Sequence, residues 1–182
     1  MHGRSMGFTK RLVEYALNTN KYDLLPSDLV EQSKEIMINA AGVALAAAAQ
    51  PDSRILTEVI QDLRGNGKCT IIGMGLRTSP SYAALANGMM INLLDFDDEI
   101  TQSDMHLSST ILPVVMAIGE MNGSSGKSVI AAYSVASEIT ARLGIFCEFA
   151  AKKGSLRNRH SPVHMDGVLG VIGSTCAGAL MQ

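Results

Sequence analysis

With 182 residues, 47% of them hydrophobic, and a formal net charge of −2, the chain can build one domain with a real core and lacks the basic excess of a nucleic-acid binder. Its longest small apolar run, "AAGVALAAAA", falls short of a membrane span, and "MHGRSMGFTKRL" has no apolar signal region. Three distant cysteines, Cys69, Cys147 and Cys176, have no metal-ligand spacing and read as reduced thiols in a cytosol-like compartment.

A first helix is expected from Phe8 to about Asn18, with Phe8, Leu12 and Ala16 at helical spacing. Pro26 breaks the chain. Ser27 or Asp28 then caps a second helix, with Glu31 completing a capping box three residues after Asp28. The second half of that helix is small and apolar, which predicts burial all round before Pro51. "SRILTEVIQDLRG" reads as a short amphipathic helix ending at Gly65. "KCTIIGMG" is strand-like but too short and isolated to predict a sheet. "SPSYAALANGMMINLL" predicts a helix capped at Ser79 with Pro80 as its first residue. "STILPVVMAIGEMN" follows, with Pro113 expected near the first turn. Next comes "GKSVIAAYSVASEITARLG", expected to stop at Gly144 as a C-cap. A basic loop, "AKKGSLRNRHSPV", precedes a last helix in "HMDGVLGVIGSTCAGALMQ". Six or seven helices and one doubtful strand make the expected fold class all-α. The chain stops within an apolar helical pattern, which reads as a truncated domain with a face open to self-association.

Chemistry concentrates in "LLDFDDEITQSDMHLSS". Asp95, Asp97, Asp98 and Glu99 fall within five residues, and His106 follows seven residues after Glu99. An EF-hand counted from Asp95 would need glycine at position 6 and glutamate at position 12, where Ile100 and His106 stand. A magnesium–diphosphate site would need a second acidic motif, which is absent. A plainer account has Asp97 and Asp98 capping a helix or turn while the other acids are solvated. The segment nevertheless lies between two apolar helices. Carboxylates there gain from a nearby histidine, which they hold in one tautomer, and that combination is the raw material of acid–base catalysis.

The second candidate region runs from Lys152 to His164. Lys152, Lys153, Arg157 and Arg159 make either a solvated basic loop or, with His164 opening a helix, an anion site. His160 and His164 have chelating spacing, but Ser161-Pro162 between them opposes a helix.

"AALANG" leading into "LDFDD", a following histidine, "ILPVVMAIGE" and "HMDGVLGVIGS" together resemble the MmgE/PrpD family, with the similarity running from about Phe8 to Gln182. That family includes 2-methylcitrate dehydratase of propionate metabolism, cis-aconitate decarboxylase and iminodisuccinate epimerase. The resemblance implies the helical domain of a larger, homodimeric lyase or epimerase. Its α+β lid domain would be missing here, so residues 1–182 would be an incomplete helical domain. It also implies small polycarboxylate substrates, no metal or organic cofactor, and a cytoplasmic location, or a mitochondrial one in a eukaryote. Carried over by motif, Asp95, His106 and His164 are the expected catalytic residues. Glu99, Arg157 and Arg159 are the expected substrate contacts. Four departures stand out: "HLSS" replaces the usual "HPS", the spacing from the acids to His106 is about one residue longer than in the decarboxylases, Glu99 stands where a threonine is common in decarboxylase-like members, and Asn39 where an aspartate is common. A second reading is a non-catalytic remnant serving as a helical self-association module.

Overall fold

The computed structural model describes residues 7–63, 65–153 and 165–182, with the side chains of 151–153 left aside. Seven α-helices and one hairpin make up the described chain: α1 Phe8–Thr19, α2 Ser27–Ala47, α3 Pro51–Asp62, β1 Cys69–Ile71, β2 Leu76–Thr78, α4 Pro80–Asn92, α5 Leu107–Asn122, α6 Gly126–Lys153 and α7 Met165–Leu180. The fold is all-α, as expected. A short 3-10 turn, Tyr22–Leu24, links α1 to α2.

The centre is α5, which packs most extensively on α4 and α7. Its core neighbours are small. Ala40, Ala44 and Ala47 recur along one face of α2, Ala83, Ala86 and Met90 along α4, and Ala132 and Ala136 along α6. Residues without bulk let helix axes approach, and methionine fills the irregular gaps left behind. Glycines mark the tightest crossings. A Cβ on Gly88 of α4 would lie 2.7 Å from the Ser109 carbonyl oxygen of α5. A Cβ on Gly173 of α7 would meet Thr140 Oγ1 at 2.4 Å and Ile111 Cδ1 at 2.9 Å. Polar groups trapped between helices find partners there: Ser134 Oγ donates to Ile130 O at 2.8 Å, so Ser33 Oγ is the donor in the buried 2.8 Å contact between the two serines.

Several local expectations are corrected. "KCTIIGMG" does find a partner: β1 pairs antiparallel with β2, Cys69 opposite Thr78 and Ile71 opposite Leu76. Gly73 and Gly75, with φ of +71° and +66°, make the reversal that alternation alone did not disclose. The hairpin is bound to the helices by Asn87, buried on α4. Its Oδ1 accepts from Ile72 N and its Nδ2 donates to Thr70 O, both at 2.9 Å. The capping box is not made. Pro26 is the N-cap of α2, and Glu31 pairs with Lys34 at 2.7 Å. The second half of α2 is not buried all round, because Ile38 and Leu45 point outward. Pro113 lies well inside α5, which starts at Leu107 rather than Ser109. Gly144 does not end its helix: α6 runs on to Lys153.

The physical reason for Gly144 bears on the site. A Cβ there would lie 2.5 Å from Met105 Sδ and 3.0 Å from Ser103 Cβ. The glycine makes room for the loop that carries His106. The stretch Gly126–Ala150 of α6 is long and apolar enough to cross a membrane by length and composition, yet half of its most apolar window is buried inside the fold, as in a core helix.

Candidate functional site

The acid loop leaves α4 at Asn92 and enters α5 at Leu107. Backbone bonds set its course. Ile100 N donates to Met105 O at 2.9 Å, and Ser103 N and Asp104 N both donate to Ile100 O. This closes a tight turn over residues 101–104, with Asp104 in the left-handed region at φ +53°. Met105, fully buried against Gly144, anchors the turn to α6. Asn39, the unusual residue of α2, donates from Nδ2 to Phe96 O at 3.0 Å and ties down the other end of the loop.

His106 is the N-cap residue of α5. Its backbone N–H donates to Asp166 Oδ1 at 2.9 Å, so the start of α7 meets the start of α5. Its ring Nδ1 faces Asp97 Oδ1 at 3.4 Å, with the Asp97 side chain fully buried and the imidazole one-fifth exposed, at 20%. Neither atom has a hydrogen-bond partner among the described residues. Asp97 Oδ2 receives only a long contact from Asn92 Nδ2, 3.4 Å. Asp98 plays a different part: its Oδ1 accepts from Ser108 N at 3.0 Å, satisfying a free N–H in the first turn of α5. It also faces buried Tyr133, whose phenol is held well above its usual range first by burial and then by the Asp98 charge.

Asp95, in the left-handed region at φ +56°, is exposed. Its carboxylate completes a cluster: one ligand atom from each of Asp95, Asp97 and His106 lies within 4.8 Å of the others. The structure therefore brings Asp95 and His106 together. Glu99 is exposed and outside that cluster. Arg157, Arg159, His160 and His164 lie outside the described residues.

Asp97 and Asp166 are the residues that sequence reasoning passed over. Asp97 and Asp98 are equivalent capping candidates by sequence, and only the turn between α4 and α5 separates their roles. The one available signal for Asp166 was its place two residues after His164. Two cavities among the described residues lie elsewhere. One of about 300 Å³ is lined by Asn20, Tyr22, Lys127 and Met181, and an open one of about 560 Å³ by Arg142, Ile145 and Phe146.

A family model of the MmgE/PrpD N-terminal domain matches residues 10–182. The chain belongs to the MmgE/PrpD family. Among curated proteins, this MmgE/PrpD chain is similar to cis-aconitate decarboxylase of Aspergillus terreus, 29% identical over 123 residues, covering 68% of this chain and 25% of the relative. It is similar also to the cis-aconitate decarboxylases of Homo sapiens (27% over 169 residues, 90% of this chain and 34% of the relative) and Mus musculus (27% over 164 residues, 87% and 32%). The chain thus spans about a quarter to a third of the length of these relatives.

Proposed function

We propose that this MmgE/PrpD chain carries one half of the acid–base centre of a lyase that acts on a small polycarboxylate, with cis-aconitate and 2-methylcitrate as the first candidates. The observation that supports this most is the pairing of His106 with buried Asp97 at the start of α5. When the 3.4 Å gap closes to hydrogen-bond distance in the substrate complex, a carboxylate facing Nδ1 fixes the ring orientation and the tautomer, leaving Nε2 to exchange a proton with a substrate carbon or its leaving group. Asp97 acts through the imidazole and is a positioning residue; His106 is the catalytic one. Asp95, at the exposed edge of the cluster, is the group placed to meet substrate. Arg157 and Arg159 supply the countercharge for substrate carboxylates, and His164 the second proton-transfer group, on the motif similarity alone. The motif similarity implies that this chemistry needs no metal or organic cofactor.

Purified protein is offered cis-aconitate, 2-methylcitrate, citrate and iminodisuccinate in deuterated buffer, with NMR following product and deuterium incorporation. Exchange or turnover is expected with one of them and should vanish in His106→Ala. Asp97→Asn is expected to lower the rate by about 100-fold, within the range seen for positioned acid–base groups, with KM little changed. Full activity in both variants would overturn the assignment.

A homodimer is part of the proposal. Ile145 and Phe146 on α6 are 42% and 66% exposed, and a second copy is the occupant proposed for that face. The same surface is what favours the second reading, a helical self-association module without catalysis.

A further inference from the structure

Buried carboxylates need a countercharge, and Asp97 has a poor one. Its side chain is fully buried, and among the described residues no lysine or arginine pairs with it. Its Oδ1 and His106 Nδ1 are both buried atoms without a hydrogen-bond partner, although they face each other. The 3.4 Å between them is long for a charge-assisted hydrogen bond, which settles at about 2.7–2.9 Å. It does match the spacing of two ligands on one tetrahedral ion. Bonds of about 2.0–2.1 Å at tetrahedral angles put ligand atoms about 3.3–3.4 Å apart. Asp95 brings a third ligand atom to within 4.8 Å from the solvent side; ligands sharing one such ion lie at most about 4.2 Å apart, and this exposed side chain is free to swing in and close the difference.

We propose that Asp95, Asp97 and His106 form a binding site for one divalent cation of borderline softness, with Zn2+ as the best fit. Two carboxylate oxygens and one imidazole nitrogen favour Zn2+ over Mg2+ or Ca2+, which take all-oxygen shells. Water completes the tetrahedron on the exposed side. The ion neutralises the buried Asp97 charge and occupies the Nδ1 lone pair. Binding stands on the geometry alone. Its consequence, a Zn2+ that blocks turnover by locking His106, rests on the catalytic reading above.

The test reads binding without activity. Chelator-stripped full chain is titrated with Zn2+ by calorimetry, and with Co2+, whose visible absorption reports tetrahedral coordination. One equivalent should bind, with a tetrahedral Co2+ spectrum. Asp97→Asn and His106→Gln should each weaken Zn2+ binding by about tenfold or more. Asp95→Asn, an exposed change that leaves the fold intact by circular dichroism, should weaken it too. Asp104→Asn, in the same loop but outside the cluster, should not. No saturable binding, or unchanged affinity in folded Asp95→Asn and His106→Gln, would overturn the site. The latter result would move the ion to other ligands such as His160 and His164.

Discussion

Three neighbouring aspartates in "DFDD" do three different things. Asp95 sits in a left-handed backbone conformation at the surface, Asp97 turns inward to His106, and Asp98 caps α5. The division follows from where each side chain emerges as the chain leaves α4, and it makes substitutions at adjacent positions unequal. Asp97→Asn should act on catalysis, as set out above, whereas the Asp98 environment should be felt in stability. Tyr133, 2% exposed, is the readout. Its phenol is raised from a reference value of 10.0, by burial first and by Asp98 second, so the folded state favours the neutral form. The unfolded chain loses that proton first as pH rises. The contribution is therefore fully present below about pH 10 and is lost as pH climbs towards the higher folded value. Urea unfolding midpoints should fall steeply above about pH 10 in the wild type and less steeply in Tyr133→Phe. Equal slopes would remove Tyr133 from the alkaline transition.

At the scale of the helices, glycine placement separates tight crossings from open surface. Gly88 approaches the Ser109 carbonyl of α5, and an added Cβ would meet backbone that cannot swing aside. Gly42, in the middle of α2, is exposed and has nothing within 4 Å of an added Cβ. The two should respond oppositely to alanine. Gly42→Ala should stabilise by about 0.5–1 kcal/mol through helix propensity alone. Gly88→Ala should destabilise by about 1–3 kcal/mol, since overpacking outweighs the same propensity gain. Denaturant midpoints of both variants check the pair, and a stabilised Gly88→Ala would mean that α4 and α5 can separate without cost. Asn87 and Gly88 are neighbours with separate tasks: one binds the hairpin, the other lets α5 come close.

For the molecule as a whole, the open apolar face of α6 carries the remaining prediction. If the proposed homodimer uses that face, the wild type should self-associate in sedimentation at several protein concentrations and Phe146→Asp should reduce it while leaving helix content unchanged. An unaltered oligomer would place the interface elsewhere. The fold was largely legible in advance. Phe8–Thr19 and Pro80–Asn92 form where spacing and the Ser79-Pro80 start placed them, because helix periodicity and proline's fixed φ are local signals. The hairpin, the continuation of α6 through Gly144 and the exposed side of α2 were not legible. Each depends on what another segment places opposite.

Sequence alone determined the all-α class and the family, and it singled out two stretches, one acidic and one basic, as candidates for chemistry. Those rest on residue type and on spacing along the chain. Tertiary structure decided which acid faces His106, that Asn87 clamps the hairpin, and that Gly144 is a crossing rather than an end. A side chain's partner is set by the path of distant backbone, and in this chain the distances that matter are those between α4, α5, α6 and the start of α7.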